Sequence, residues 1–505
     1  MPCATLWNQL AKRRGLGGEN VNLQNFWNML LLRGSQSGMT ETEFLEAELK
    51  DFLSSQKRRW MVLGAQYYRQ RQDIDAKERR AIGEGGRERT LHNLPNFRIA
   101  YNRYAKLVDQ KVNYLLAKPF EVKTDDDSYG KALDAVFTQQ FRRRLKAIGV
   151  DVMNGGIAYL HPYVTDKGLQ FKRFPPQQVV PFWKDEAHEE LDSFLRIYPV
   201  GTYEGKQPKI IHKVEYYTAQ GVKYYIWENN MLLPDAERDD MAYLMIDGEP
   251  YNWNKVPLIA FKYNAEELPL IRRVKCLQDA LNTLISNFAD VMCEDIRNTV
   301  LVIKNYDGTD LSEFRRNLAA YGAVKVRTRD GREGGVETLT IDANATNYET
   351  IMKLLNKAII DVGNGFDARD DRMANNPNQM NISSIYSDID IDTNNVEMEF
   401  QAALEQLMWF VNTYLGINGA TENDAVEFIF NRDTPVNESE VITNCRNSEG
   451  IISKETIISN HPWVQDTAEE MHRLTKEQQA DIGMDYVQGG NGPPQQQKAG
   501  GVNDE

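Results

Sequence analysis

Cysteine is scarce in this sequence, since a chain of 505 residues contains only four. They stand far apart, at positions 3, 276, 293 and 445, and none forms a CxxC pair. Neither a disulfide framework nor a zinc site is therefore indicated. We expect Cys276 and Cys293 to be small buried residues of a helix.

Long apolar runs and nucleotide-binding motifs are also missing. No stretch approaches the roughly 18 uncharged apolar residues of a membrane-spanning helix, and mean hydropathy is −0.55. The GxxxxGK[ST] pattern of a phosphate-binding loop is absent, so any ATP-driven motor would be another protein. No histidine or carboxylate cluster has a catalytic or metal-binding spacing. The sequence predicts a protein that is not an enzyme and that needs no cofactor or metal.

Positive charge is in deficit. Lys and Arg number 59 against 73 Asp and Glu, which gives a formal net charge of −14. Tight binding to nucleic-acid phosphates depends on cationic side chains that displace counterions. The protein should therefore not hold DNA firmly. The composition is otherwise that of an ordinary globular protein, and the length suggests about three domains.

Residues 1–38 differ from the rest of the chain. They contain four basic residues and one acidic residue, a net charge of +3. They lack the long apolar run and the small-residue cleavage site of a signal peptide. Thr40 and Glu43 form a capping box that begins a helix directly after Met39. We expect Met39 to be the natural start and residues 1–38 to be a loosely held extension.

Two regions of different character follow. Residues 39–149 predict helices, among them one over 98–117 that buries Tyr101 on its apolar face and ends at Lys118-Pro119. Residues 150–267 contain short aromatic and β-branched runs between turn residues. That pattern predicts a mostly antiparallel β region.

A heptad pattern over residues 268–297 predicts a long helix. Its apolar residues alternate spacings of four and three, which is typical of a helix that packs along another long helix. They are Leu270, Val274, Leu277, Leu281, Leu284, Phe288 and Val291. A second helix over 344–365 supplies a partner, and residues 298–343 between them predict a small α/β insertion whose helix carries Arg315 and Arg316.

Residues 366–381 are polar and predict a long mobile loop. Its charged and amide side chains are Arg369, Asp370, Asp371, Arg372, Asn375, Asn376, Asn378 and Gln379. A long helix is predicted from Ile382 to Gly416. Asp388, Asp390 and Asp392 superficially resemble a calcium loop, but Thr393 stands where that loop needs glycine, so we expect a solvated helix face. Residues 437–487 predict short helices, and residues 488–505 predict a disordered tail.

Six segments, in this order, resemble the portal (head–tail connector) proteins of tailed bacteriophages, in the branch typified by the SPP1 portal. They are RRWMVLGAQYYRQRQDI (58–74), PNFRIAYNRYAKLVDQKVNYLLAKPFEV (95–122), GGIAYLHPYVTDKGLQFKRFPPQQVVPFW (155–183), VPLIAFKYNAEELPLIRRVKCLQDALNTLISNFADV (256–291), NQMNISSIYSDIDID (378–392) and GIISKETIISNHPWVQDTAEEMHRL (450–474).

This resemblance implies an α+β portal fold and a ring, commonly of twelve subunits, at one capsid vertex. The implied parts are a β-rich wing (39–267), paired stem helices (268–297 and 344–365), a small α/β clip (298–343), a channel-facing tunnel loop (366–381), a long spine helix with a return to the wing (382–436) and a helical crown (437–487).

The implied function is a conduit for packaging and ejection of double-stranded DNA. The terminase large subunit and a head–tail adaptor would dock on the ring, and capsid and scaffolding proteins would surround it, with no membrane involved. The protein would belong to the virion after assembly in the host cytoplasm. The heptad residues would then form a seam between neighbouring subunits, and Arg315 and Arg316 would contact a docking partner.

Two other classes of function compete with this hypothesis. One is an enzyme, such as a nuclease or hydrolase, with the β region as its catalytic body. The other is an oligomeric scaffold that is built on paired long helices and has no contact with DNA. Ring formation and a channel of duplex width would distinguish a portal from that scaffold, and metal- or nucleotide-dependent turnover would favour the enzyme.

Overall fold

The computed structural model describes residues 40–82, 87–90, 92, 94–166, 168–246, 249–294, 300–304, 335–339, 345–368, 377–416, 426–432, 437–464 and 467–488. The chain divides into two compact units. The first comprises Met1–Phe366 and Asp388–Asp433, and the second comprises Asp367–Ser387 and Thr434–Glu505. The fold mixes helices with antiparallel sheets, so the predicted α+β class is confirmed.

Two helices open the described part of the first unit, α1 (Glu41–Ser54) and α2 (Gln56–Tyr68). The predicted capping box is present. The Thr40 hydroxyl accepts a hydrogen bond from the Glu43 N–H, and the Thr40 N–H donates to the Glu43 carboxylate. The capping box therefore satisfies N–H groups at the start of α1 that have no partner within the helix.

A short hairpin of β1 (Arg80–Ile82) and β2 (Glu88–Thr90) precedes helix α3 (Arg103–Leu116). The Asn102 side chain caps α3 by accepting from the Ala105 N–H. The prediction that this helix begins at residue 98 is therefore wrong. Tyr101, predicted to be buried on a helical face, lies before the helix and is 43% exposed.

Strand β3 (Glu121–Lys123) and helices α4 (Asp127–Val136) and α5 (Gln139–Gly155) come next. Helix α5 ends at Gly156, whose φ of 81° lies in the left-handed region that favours glycine. A Cβ atom at this position would stand 2.0 Å from the carbonyl oxygen of Glu267. Only glycine fits here, because both the backbone conformation and the close approach of residue 267 exclude a side chain.

The predicted antiparallel β region is confirmed. Its strands are β4 (Ile157–Thr165), β5 (Gly168–Phe174), β6 (Val179–Trp183), β7 (Leu191–Glu204), β8 (Gln207–Thr218), β9 (Gly221–Glu228), β10 (Met231–Pro234), β11 (Leu244–Ile246), β12 (Glu249–Tyr251) and β13 (Ile259–Lys262). They form a three-stranded sheet of order β13-β4-β5, a five-stranded sheet of order β10-β9-β8-β7-β6 and the pair β11-β12.

Helix α1 covers one face of the five-stranded sheet. Its buried residues Phe44, Leu45 and Leu49 belong to a cluster with Phe182 and Leu195 of the sheet. The hairpin of β7 and β8 continues to the pair Glu204 and Gln207, beyond the ends of their pairing with β6 and β9. Its outer part exposes apolar side chains, of which Ile210 is 67% exposed.

The long helices complete the first unit. Helix α6 (Ile271–Glu294), strands β14 (Val300–Lys304) and β15 (Gly335–Leu339), and helix α7 (Ala345–Val362) follow one another, and β14 pairs antiparallel with β15. Helix α8 (Gln379–Leu415) has 37 residues, and strand β16 (Glu427–Ile429) after it pairs with β3. The largest core cluster joins residues of α3, α5, α6 and α8, including Val108, Leu145, Val274 and Phe400.

The described residues of the second unit include helices α9 (Glu438–Asn447), α10 (Lys454–Ser459) and α11 (Thr467–Gln488). The first two are short, as predicted, but α11 has 22 residues and extends to Gln488, the first residue of the predicted disordered tail. The beginning of α8 also belongs to this unit. The Gln379 N–H donates to a Glu440 carboxylate oxygen at 2.8 Å, and the Asn437 N–H donates to the Gln379 amide oxygen at 2.9 Å. Helix α8 thus begins three residues earlier than the predicted Ile382.

The predicted extension (1–38) lies outside the described residues, as does nearly all of the predicted tail (488–505), of which only Gln488 is described.

Candidate functional site

Helices α6 and α7 lie side by side in opposite directions. Near the end of α6 and the beginning of α7, the rings of Phe288 and Tyr348 stand 4.7 Å apart. At the other end, Arg273 of α6 and Asn364 just after α7 both reach the carboxylate of Asp392, at 3.7 and 3.0 Å. Helix α6, with 24 residues, is roughly 36 Å long, and α7, with 18 residues, is roughly 27 Å long.

Three of the seven predicted heptad residues are fully buried within this chain. Leu270, Val274 and Leu281 are fully buried in the core cluster that also contains Ile359 of α7. The prediction that these three form a seam with a neighbouring subunit is wrong, because the same chain already covers them. Leu277, Leu284, Phe288 and Val291 are half-buried, and their contact with a neighbour stays a prediction. Cys276 and Cys293, predicted to be buried, are exposed.

A second face of α6 carries buried polar side chains at intervals of four residues, which we call the polar ladder: Gln278, Asn282, Ser286 and Asp290. Each accepts a hydrogen bond from a backbone N–H of residues 97–103, which we call the strap. The donor and acceptor pairs are Phe97 and Asp290 (2.7 Å), Ile99 and Ser286 (3.0 Å), Tyr101 and Asn282 (2.9 Å), and Arg103 and Gln278 (2.9 Å).

The spacing of these bonds shows that the strap is extended. Its six residue steps run along twelve residues of α6, a distance of about 18 Å, so the strap rises about 3 Å per residue. Alternate N–H groups of an extended chain point the same way, which is why every second one meets the ladder. The polar ladder thus supplies the hydrogen-bond acceptors that a neighbouring strand would supply in a sheet.

Lys77 contacts the Asp290 end of the polar ladder. Its ammonium group lies 2.6 Å from the other carboxylate oxygen of Asp290 and also donates to the carbonyl oxygen of Phe97. A hydrogen bond to a charged group contributes about 1.5–3 kcal/mol, against about 0.5–1.5 kcal/mol between neutral groups. The Asp290 end should therefore hold the strap most firmly.

A buried ion pair marks the place where the chain leaves the first unit after α7. Lys111 of α3, only 1% exposed, lies 2.6 Å from Asp392 of α8 and donates to the carbonyl oxygen of Asn364 at 2.9 Å. The Asn364 amide and the Tyr263 hydroxyl donate to the same Asp392 carboxylate. Burial lowers the pKa of Lys111, and the nearby Asp392 carboxylate opposes that shift.

Asp392 therefore does not lie on a solvated helix face, and that prediction is wrong for this residue. Asp390 accepts a hydrogen bond from the Tyr114 hydroxyl, while Asp388 is exposed as predicted. The sequence alone does not show that Asp392 is buried while Asp388 is exposed, because Lys111, the partner of Asp392, stands 281 residues away along the chain. The hydrogen bond between the Asn364 amide and the Asp392 carboxylate therefore holds the chain just after α7 against the first-unit part of α8.

A family model described as "Phage portal protein, SPP1 Gp6-like" matches residues 55–484. The chain belongs to this phage portal family. The portal protein of Bacillus phage SPP1 is 27% identical over 430 residues, which cover 83% of each chain. The portal protein of Clostridium phage phiCD119 is 25% identical over 437 residues, which cover 83% of this chain and 93% of that one.

The region shared with the portal family includes α6, α7, the strap and the Lys111–Asp392 pair. Within the described ranges, this portal protein has no helix long and apolar enough to cross a membrane. Six predicted tunnel-loop residues lie outside the described residues: Arg369, Asp370, Asp371, Arg372, Asn375 and Asn376. The predicted clip contacts Arg315 and Arg316 lie outside them as well.

The last two predicted loop residues are described, and they belong to the start of α8. The Asn378 side chain accepts from the Asn381 N–H at 2.8 Å, and Gln379 is the first residue of the helix. The prediction that the loop continues to residue 381 is therefore wrong.

A second buried carboxylate lies just before α6. Glu267 accepts a hydrogen bond from His188 at 2.6 Å and pairs with Lys57. Burial alone would raise the pKa of Glu267, but the hydrogen bond from His188 and the charge of Lys57 outweigh burial and lower this pKa to about 2. This cluster ties α2 and the loop before β7 to the start of α6.

Proposed function

We propose that this portal protein forms a ring at one capsid vertex and serves as the conduit through which double-stranded DNA is packaged and later ejected. The observation that carries the proposal is the family match over residues 55–484, which includes every described element from α2 to most of α11. DNA packaging is the known role of this family. The virion vertex is the corresponding location.

The antiparallel pair of α6 and α7 supports the assignment of residues 268–297 and 344–365 as the stem. We propose the predicted boundaries for the wing (39–267), the clip (298–343) and the crown (437–487). For the spine helix with its return to the wing we propose 379–436. For the tunnel loop we propose 366–378, since α8 begins at Gln379.

The negative charge of the chain supports a channel that DNA crosses without being held. A formal net charge of −14 per subunit repels the phosphate backbone, so little sequence preference is expected. The loop residues Arg369 and Arg372 are balanced by Asp370 and Asp371. We propose that they and the neighbouring asparagines touch the passing phosphates transiently.

The clip is the proposed docking site of the terminase large subunit, through Arg315 and Arg316. Replacing both with alanine should weaken terminase binding, and unchanged affinity would count against this contact. A head–tail adaptor is the proposed later partner on the ring, and capsid and scaffolding proteins are the proposed surroundings at the vertex.

The proposed function is tested by assembling phage heads without this chain. Heads should still form but should contain no packaged DNA, and supplying the wild-type chain should restore filled heads. Normal DNA content in heads that lack the chain would overturn the proposal.

A further inference from the structure

Helix α7 has more apolar surface than its own chain covers. Met352, Leu355 and Ile359 pack on the core, but a second set of apolar side chains beside them is exposed. We call this set the outer face of α7: Ile351 (46% exposed), Leu354 (62%) and Val362 (45%). At 100° per residue these three side chains lie within about 80° of one another around the helix.

The strap presents a second exposed apolar patch on a different surface. Phe97 is 40% exposed and Tyr101 is 43% exposed. The polar ladder fixes both residues against α6, so their position does not depend on α7. The strap therefore forms one exposed apolar patch, and the outer face of α7 forms another on the same pair of helices.

Tyr101 lies at the same height along the helix pair as Leu354 of the outer face of α7. Starting from the contact between Phe288 and Tyr348, six residues along α6 lead to Asn282, which binds the Tyr101 N–H. Six residues along the antiparallel α7 lead to Leu354, about 9 Å from the same starting level. Tyr101 and Leu354 therefore stand level.

Matching heights matter because of ring symmetry. A cyclic ring of more than two subunits joins two different patches of each subunit, head to tail. Rotation about the ring axis moves no atom along that axis. For helices that run along the axis, a contact between neighbours must therefore join groups at similar height.

Unpaired charges near the two patches are complementary. Arg103, at the end of the strap, stacks over the Tyr101 ring at 5.8 Å and has no carboxylate partner among the described residues. Asp361 of α7 is exposed and its side chain has no partner within the same described part of the chain. Counted from the Phe288 and Tyr348 contact, their levels differ by about one helical turn. A positive group thus accompanies one patch and a negative group the other.

We propose that the strap of one portal subunit docks on the outer face of α7 of the next, with Tyr101 against Leu354, with Phe97 near the beginning of α7 and with Arg103 near Asp361. This inference rests on the proposed ring, and it replaces the heptad seam as the main contact between stems. The polar ladder then has a second role, because it holds the strap in the position that the neighbouring subunit recognises.

A disulfide cross-link tests the contact directly. Tyr101→Cys and Leu354→Cys are introduced together into a chain in which all four natural cysteines, at positions 3, 276, 293 and 445, are serine. On oxidation, purified rings should give a series of covalent multimers on a non-reducing gel. Each single-cysteine variant should give at most dimers. Control chains with Ile210→Cys and Leu354→Cys should not give the series, because Ile210 lies on the β7–β8 hairpin and not on the strap that contacts Leu354.

Substitution gives an independent measurement. Leu354→Glu should raise the concentration needed for half-maximal ring formation by about tenfold or more, since it places a charge in an apolar contact. Ile210→Glu, an equally exposed site, should leave ring formation unchanged. Asp361→Arg should weaken rings, and Asp361→Arg combined with Arg103→Glu should restore them in part.

The outcomes separate this inference from the proposed function. If wild-type chains form rings while the cysteine pair gives no multimer series and Leu354→Glu assembles normally, the docking contact is wrong and the portal ring stands. If wild-type chains form no ring at all, the proposed function itself fails.

Discussion

Lys111 is a charged residue that depends on two partners from distant parts of the chain. The carboxylate of Asp392 and the carbonyl oxygen of Asn364 both lie within 3 Å of its ammonium group. Removing one member of a buried ion pair leaves the other charge uncompensated, at a cost of about 3–5 kcal/mol. These three residues should therefore be sensitive to substitution although none is expected to touch DNA.

Lys111→Met should lower the free energy of unfolding of the first unit by about 3–5 kcal/mol, measured by chemical denaturation. Lys353→Met is the matched control, since Lys353 pairs with Glu349 at the surface, with both side chains more than 60% exposed. Exposed pairs contribute about 0–1 kcal/mol. Equal effects of the two substitutions would contradict the account of the buried pair.

Glu267 makes stability depend on pH in the acid range. Its pKa in the folded protein is about 2, against an ordinary value of 4.5. A lowered carboxylate pKa stabilises the fold fully above the unfolded value, and the contribution is lost as pH falls from about 4.5 to about 2. The difference corresponds to roughly 3 kcal/mol.

Glu267→Gln should therefore destabilise the protein at pH 7 and make the loss of stability between about pH 4.5 and pH 2 smaller than in the wild type. Thermal unfolding across this pH range measures the effect. The slopes must be compared between variant and wild type, because other carboxylates titrate in the same range. Identical slopes would show that Glu267 is not the group responsible.

At the scale of elements, the polar ladder joins the strap to α6. Asn282→Leu removes the acceptor of the Tyr101 N–H and should cost about 1–3 kcal/mol. Hydrogen exchange should become faster at residues 97–103, measured on chains kept below the concentration of ring formation. Asn287→Ala, at an exposed position of the same helix, is the control. Unchanged exchange in the strap of Asn282→Leu would refute the role of the ladder.

Periodicity predicted most elements but not the start of α3. Residues 98–102 have a helical apolar pattern, yet their N–H groups bond to side chains of α6 that lie about 180 residues further along the chain. No local signal reports such distant acceptors. In the sequence of α6, the polar residues of the ladder recur at intervals of four beside the apolar heptad residues. A polar stripe of this kind usually faces solvent, so it does not predict a buried ladder.

The heptad pattern shows why a site is harder to predict than a helix. The spacing of Val274, Leu277 and Leu281 identifies the apolar side of α6, but not the chain that covers it. In this fold the covering helix is α7 of the same chain. The exposed apolar side chains of α7, such as Leu354, became evident only once the pairing of the two helices was known.

At the scale of the whole molecule, the tunnel loop can be tested separately from assembly. Replacing residues 369–376 by a Gly-Ser linker of equal length should leave rings intact and reduce the number of DNA-filled heads. Asn378 and Gln379 are kept because they hold the start of α8. Full packaging by the linker variant would contradict the proposed contact between the tunnel loop and DNA.

The central claim is that this chain forms a portal ring. Negative-stain electron microscopy with native mass spectrometry on purified chains that begin at Met1 and at Met39 tests it most directly. We predict closed rings of about twelve subunits with a central channel wide enough for duplex DNA. Chains that stay monomeric or dimeric at all concentrations, even with capsid and scaffolding proteins added, would contradict it.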